Sequence, residues 1–172
     1  MGTRIILTAV LFLMSCGLFA QESGEWRVSK GQQGPAFEVV DQSGNRMTSE
    51  SLKGKVVLIN FFATWCPPCR QELPRLQKEI YDKKKDRSDF EVMVLAREEG
   101  WDKLNPFIQS NSYTFPIYPD LNRGVYGLFA ENTIPRNVVL DKEGKIIYLS
   151  IGFSDKEFDK LIKTIDKELN KK

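Results

Sequence analysis

The sequence predicts a single α/β domain in which strands and helices alternate before the chain closes with a β-hairpin and a last helix. Three observations carry this. Lys55 to Ala63 holds the nearly continuous apolar run Val56-Val57-Leu58-Ile59-Asn60-Phe61-Phe62, the pattern of a strand buried on both faces in mid-sheet. Leu73, Leu76 and Ile80 follow it at helical spacing, and Phe90 to Ala96 reads as a second buried strand. Near the end, two strand patterns around Asp141-Lys142-Glu143-Gly144 precede an amphipathic stretch. With 172 residues, 41% of them hydrophobic, the chain can bury one real core but has no room for a second full domain.

Element by element, Arg4 and the apolar run Ile5 to Met14, followed by small residues and Gln21-Glu22-Ser23-Gly24, have the layout of an export signal over residues 1–20. The run is shorter than the roughly 20 residues a membrane-spanning helix needs. Two processing routes fit. Cleavage after Ala20 leaves a soluble chain beginning at Gln21, whereas Leu13-Met14-Ser15-Cys16 resembles a lipobox in which Cys16 becomes a lipidated N-terminus. Either route ends in the cell envelope or periplasm of a bacterial source and removes Cys16 from the free thiols. Residues 21–34 are polar or Gly-rich and read as a linker or irregular lead-in, with the domain spanning 35–172.

Within that domain, Ala36 to Val40 and Arg46 to Thr48 read as strands around the turn Asp41-Gln42-Ser43-Gly44-Asn45, and Ser49 as the cap of a short helical turn ending at Gly54. Pro67 and Pro68 suit the first turn of the helix after the central strand, and Pro74 is expected to interrupt and kink it. Trp101 to Ser110 is expected as a helix bent at Pro106, Thr114 to Tyr118 as an extended segment, and Leu121 to Ala130 as a short helix. Arg136 to Leu140 and Lys145 to Ile151 form the hairpin. In the last helix Ser154 and Glu157 stand in capping-box spacing, and Phe158, Leu161, Ile162, Ile165 and Leu169 fall on one face.

Composition excludes several chemistries. Lys and Arg total 25 against 23 Asp and Glu, a net charge of +2, which gives no reason to expect nucleic acid or an anionic membrane as the partner. The chain has no histidine, which removes imidazole as metal ligand, catalytic base or pH switch. No metal and no cofactor is expected. Of three cysteines, Cys66 and Cys69 stand in Trp65-Cys66-Pro67-Pro68-Cys69, at the junction between the central strand and the helix. That position suits dithiol exchange, because the helix N-terminus stabilises a thiolate on Cys66 and the two-residue spacing keeps Cys69 within bonding reach. Zinc would need four ligands where one CxxC supplies two, so only a metal bridging two copies of the chain would remain. Haem attachment needs a histidine where Arg70 stands, and a structural disulfide closing so short a loop would be a weak staple.

Phe61-Phe62-Ala63-Thr64-Trp65-Cys66-Pro67-Pro68-Cys69, with Pro74 downstream and Ile134-Pro135 far beyond, resembles the thioredoxin superfamily. Pro35-Ala36-Phe37, Asp41, Gly44, Leu52 and Lys53-Gly54-Lys55 narrow the resemblance to its TlpA/ResA-like branch, over about Gly34 to Leu169. The resemblance implies a thioredoxin fold, a central mixed sheet flanked by helices, with an N-terminal β-hairpin extension. It implies that Cys66 is an exposed attacking thiol and Cys69 a buried resolving thiol. Pro135 is expected in the cis form, with the Ile134 backbone pairing with a substrate strand, and Trp65, Pro67 and Pro68 beside the same groove. Trp101 and Phe62 either line that groove or belong to the core. Arg136 replaces a small polar residue and is expected to bias which partner docks.

Thioredoxins carry an aspartate where this chain has Asn60, which cannot take a proton. Glu72, about one helical turn after Cys69, matches a glutamate of the ResA-like branch that relays protons, and partial burial would raise its pKa for taking the Cys69 proton. A glutamate in the first turn also simply favours the helix dipole, and position alone leaves both roles open. The implied function is a monomeric thiol-disulfide oxidoreductase of the envelope. It would reduce disulfide-containing proteins, with cytochrome c maturation as one setting, and be re-reduced by a membrane or envelope thiol donor. Two alternatives stand beside it. Peroxiredoxins resemble one another in a Pro-x-x-x-Thr-x-x-Cys pattern, but Ile59 and Ala63 occupy those positions before Cys66. A redox-inert module would use the groove around Trp65 and Pro135 to hold a partner. The loop Arg97-Glu98-Glu99-Gly100 follows a central strand and has no role assigned by sequence.

Overall fold

The computed structural model describes residues 26–171, so the expected export signal, Cys16 and the start of the linker lie outside the described residues. Its centre is a five-stranded mixed sheet in the order β5-β4-β3-β6-β7. The apolar run forms β3 (Val56–Phe62), in which every residue is buried. It pairs in parallel with β4 (Phe90–Arg97) and antiparallel with β6 (Arg136–Leu140). The outer strands are β5 (Ile117–Asp120), parallel to β4, and β7 (Ile146–Ile151), antiparallel to β6. A separate hairpin of β1 (Glu38–Val40) and β2 (Arg46–Thr48) forms the expected N-terminal extension. This is the thioredoxin fold.

Both hairpins turn by the same chemistry. Asp41 and Asp141 each accept, through Oδ1, the backbone N–H groups two and four residues on, and Gly44 and Gly144 take the left-handed conformation each turn requires.

Alternation along β3 distributes the helices. Asn60 and Phe62 point to one face, where they meet Glu72 of α1 (Pro67–Arg75) and Phe107 of α3 (Trp101–Asn111). Phe61 points to the other, against Tyr126 and Phe129 of α4 (Tyr126–Phe129). The closing helix α5 (Asp155–Leu169) lies beside α1, fastened by Arg75, which bonds Asp155 and Asp159 as well as Glu79 and stacks 4.6 Å from the Phe158 ring centre. Its N-terminus is half a capping box. The Ser154 hydroxyl accepts from the Glu157 N–H, while the Glu157 carboxylate takes the Tyr148 hydroxyl.

Several boundaries differ from expectation for identifiable reasons. Pro74 interrupts the α-helix, as expected, but the chain stays helical beyond it: α1 ends at Arg75. The chain widens into π-helical geometry over Leu76–Tyr81 and continues through the short α2 (Asp82–Lys84), a local adjustment that accommodates the missing proline N–H. The helix expected over Leu121 to Ala130 is only α4, because Asp120 captures the N–H groups of Val125 and Tyr126 and sets the start there. The extended segment expected at Thr114 to Tyr118 pairs later, over Ile117–Asp120, on the sheet edge where Pro119 is tolerated. Ser49 caps nothing; its hydroxyl accepts from the Phe37 N–H. The described part of the lead-in, from Trp26 on, is held to the domain: Trp26 bridges to Ala130, Gln33 bridges to Lys145, and Val28 is buried.

Leu58 sits opposite Val92 on one side and Val139 on the other, and is fully buried. Leu58→Ala is therefore expected to cost about 2–5 kcal/mol of stability. Urea denaturation should show a lower midpoint at unchanged slope, and a loss below about 1 kcal/mol would contradict a tightly packed hub strand.

Candidate active site

Cys66 and Cys69 lie where β3 gives way to α1, and they form a disulfide with an S–S distance of 2.07 Å. Cys66 is the N-cap residue, extended in backbone conformation, and its sulfur accepts the Cys69 N–H at 3.3 Å. Pro67 and Pro68 fill the first helical positions, where a missing N–H leaves nothing unsatisfied. The helix N-terminus thus aims one N–H donor, that of Cys69, and its positive dipole end at the Cys66 sulfur, the arrangement that stabilises a thiolate.

The expectation of an exposed Cys66 is corrected: the residue is 2% exposed and Cys69 0%. In the disulfide the Cys66 sulfur is turned inward to Cys69 and lies 3.8 Å from the Ile134 carbonyl oxygen, beneath the facing loop. Trp65, by contrast, is 61% exposed and forms the open surface next to the pair. Phe62 belongs to the core and Trp101 is half-buried against it.

The facing loop reaches the site through the cis peptide Ile134–Pro135. Arg136 does not face partners as expected. It is fully buried, its Nε donates to the carbonyls of Asn132 and Thr133 at 2.9 Å, and its Nη2 donates to Asn132 at 2.6 Å. Its guanidinium lies 4.3 Å from the Trp26 ring centre, and the Tyr126 hydroxyl donates to the same two carbonyls. Arg136 therefore shapes the loop ahead of Pro135 from within.

The other border of the pair is held by a residue that sequence reasoning left without a role. Glu99, buried after β4, accepts the Thr64 backbone N–H at 2.7 Å and the Thr64 hydroxyl at 2.6 Å. This bidentate contact fixes the turn that delivers Trp65 and Cys66. A carboxylate directly after a central strand was the visible signal, but nothing in the sequence paired it with Thr64.

Glu72 is 1% exposed, so it is not a surface residue of the helix's first turn. It follows Cys69 by one turn on the buried side of α1. Its Oε2 accepts from Asn60 Nδ2 at 2.9 Å and its Oε1 from Asn137 Nδ2 at 2.6 Å. Burial pushes its pKa up to about 7, against the lowering effect of both amides. Asn137 was missed by sequence reasoning, although it breaks an apolar strand just as Asn60 does. The two asparagines are cross-strand partners of β3 and β6, and Asn137 faces Ser150 of β7.

The Redoxin family pattern matches residues 29–165. The thiol-disulfide oxidoreductase ResA of Bacillus cereus is 31% identical over 153 residues, covering 89% of this chain and 86% of its own length. A Bacteroides thetaiotaomicron protein proposed to be a disulfide isomerase has a solution structure similar to this one, with a TM-score of 0.82 and 34% identity. It covers 87% of this chain and 95% of its own. The fold also matches a proposed thiol:disulfide interchange protein DsbE from Chlorobium tepidum, with a TM-score of 0.72 at 24% identity over 83% of this chain and 99% of that one.

The raised Glu72 pKa makes stability depend on pH. Folding favours the protonated acid, so this contribution is fully present below the ordinary carboxyl pKa of 4.5 and is lost as pH rises through about 7. Relative to Glu72→Gln, the oxidised protein is expected to lose about 3 kcal/mol between pH 4 and pH 8. Urea titrations across that range measure the difference, and parallel pH profiles for the two proteins would contradict it.

Proposed function

The chain belongs to the Redoxin family, as a TlpA/ResA-like thiol-disulfide oxidoreductase of the thioredoxin superfamily, and we propose that it reduces disulfides in partner proteins outside the cytoplasm. The observation that carries the reading is a Cys66–Cys69 disulfide at a helix N-terminus, flanked by a cis Ile134–Pro135 peptide and followed by a buried carboxyl on the same helix. The apolar N-terminal segment with Arg4 supports export, and the likeness to ResA supports cytochrome c maturation as the setting.

In the reduced protein, Cys66 is the attacking thiolate, favoured by the Cys69 N–H and the helix N-terminus. A partner strand lies along the Ile134 backbone, with Trp65, Pro67, Pro68 and Pro135 bordering it. Attack of Cys66 on the partner's disulfide forms a mixed disulfide and releases one partner sulfur as a thiolate. Cys69 then gives its proton to the Glu72 carboxylate and, as a thiolate, attacks the Cys66 sulfur. The bond between Cys66 and the partner breaks, the second partner sulfur leaves and takes up a proton, and the Cys66–Cys69 disulfide is restored. Two electrons have passed to the partner, and an envelope dithiol donor returns them. The protein acts as a monomer.

Insulin reduction with dithiothreitol as donor tests the chemistry. Cys66→Ser is expected to abolish the activity, and Cys69→Ser to accumulate mixed disulfides visible on non-reducing gels. Turnover persisting in Cys66→Ser would defeat the assignment. The direction is tested separately by equilibration against glutathione: the pair should be the more reducing couple, and a more oxidising one would rule out the reductive role.

A further inference from the structure

The amides around Glu72 form a closed ring whose orientation is fixed by its own hydrogen bonds. Asn60 Nδ2 donates to Glu72 Oε2 at 2.9 Å and to Asn137 Oδ1 at 2.8 Å, while Asn137 Nδ2 donates to Glu72 Oε1 at 2.6 Å and reaches Ser150 Oγ at 3.4 Å. Turning the Asn60 amide around would set its oxygen against both Glu72 Oε2 and Asn137 Oδ1. Turning Asn137 alone would oppose its nitrogen to that of Asn60 and its oxygen to Glu72 Oε1. Turning both would present two carbonyl oxygens to a carboxyl that carries at most one proton. The ring is self-consistent only with N–H donors aimed at both carboxyl oxygens, and two donors match a carboxylate, which accepts at both oxygens, better than a carboxylic acid.

We propose that Asn137 is a positioning residue for the redox reaction: with Asn60 it holds the Glu72 carboxyl in its ionised form, ready to receive the proton of Cys69. This rests on the reading of Glu72 as the proton acceptor for Cys69. Asn137 begins β6 two residues after Pro135, so the strand that continues from the docking loop also carries the proton acceptor's partner. Without Asn137, burial alone would keep Glu72 protonated to higher pH, and Cys69 would lack an acceptor near neutrality.

The other groups around Glu72 leave this assignment to the amides. On its own helix Cys69, one turn before, does not titrate while bonded to Cys66, and Arg75, one turn after, is engaged by Glu79, Asp155 and Asp159. From β7 Tyr148 interacts with the Glu72 charge, but its phenol is pushed well above its ordinary range by burial and its bond to Glu157 of α5, so it stays protonated throughout. Ser150 of β7 and Asn60 of β3 do not titrate near neutrality. Arg136, next to Asn137 on β6, is turned to the carbonyls of Asn132 and Thr133.

The test is the titration of the Glu72 side-chain carboxyl by carbon NMR in the oxidised protein. Asn137→Val keeps a strand-forming side chain and removes the donor. It is expected to raise the midpoint by about one pH unit, a tenfold tighter hold on the proton. Asn137→Thr, whose single hydroxyl replaces the amide, is expected to lie between Val and wild type. If Asn137→Val does not fold, Asn137→Thr must still raise the midpoint. A midpoint that stays put or falls in whichever variant folds overturns the proposal. In the reduced enzyme, the pH at which mixed disulfides are resolved should move upward with Asn137→Val, and should not move further in a Glu72→Gln background. The NMR titration needs no turnover, so failure of Asn137 to hold the Glu72 carboxylate is read apart from failure of the functional reading, which an inactive enzyme in the insulin assay would show.

Discussion

A carboxyl group buried under an apolar sheet has to find its hydrogen bonds in that sheet, and most of the site follows from how this is done. Neither β3 nor β6 has a surface residue, yet each carries one asparagine, and the antiparallel register sets the two side by side with Ser150 on the next strand. The result is a polar row crossing three strands on the face that α1 covers. Burying Glu72 anywhere else on that face would leave a carboxyl without donors, at a cost of several kcal/mol. The row therefore fixes both the register of the strands and the rotation of α1. Fixing that rotation places Cys69 on the inner face of the helix, one turn nearer its N-terminus.

The loops on either side of the disulfide are held by the same device, a buried charged side chain spent on backbone groups. Glu99 takes the N–H and hydroxyl of Thr64, and Arg136 takes the carbonyls of Asn132 and Thr133. Each reaches from one segment of chain into the neighbouring loop and removes freedom that the loop would otherwise have. Hydrogen bonds to charged groups are individually stronger than neutral ones, so a few suffice to fix a short irregular segment. Arg136 also carries Trp26 on its outer face, which draws the lead-in into the same assembly.

Much of this was legible in the sequence where a residue's own pattern decides its environment. β3 declared itself by seven apolar or neutral residues in succession, the cysteines by their spacing after it, and the closing hairpin by its Asp and Gly. What escaped were features set by contact between distant segments. Arg136 looked like a surface charge because an arginine in sequence carries no sign of the carbonyls that will receive it. Glu99 and Thr64 lie 35 residues apart and meet only once β3 and β4 pair. Pro74 marked the interruption but gave no sign that the chain would continue in wider, π-helical geometry, and α4 came out short because the carboxylate of Asp120 set its start. Asn137 was half legible: a lone amide in a buried strand implies a buried partner, and the partner was already under consideration as Glu72.

The covered disulfide has a bearing on how the protein lives among small thiols and oxidants. With Cys66 2% exposed beneath Ile134, a free thiol such as glutathione meets few open approaches to either sulfur. Exchange rates depend on access as well as on thiolate chemistry. A pair shielded in this way exchanges more slowly with small thiols than an open pair would. Selectivity for proteins over metabolites would then reside in the walls of the site as much as in its potential.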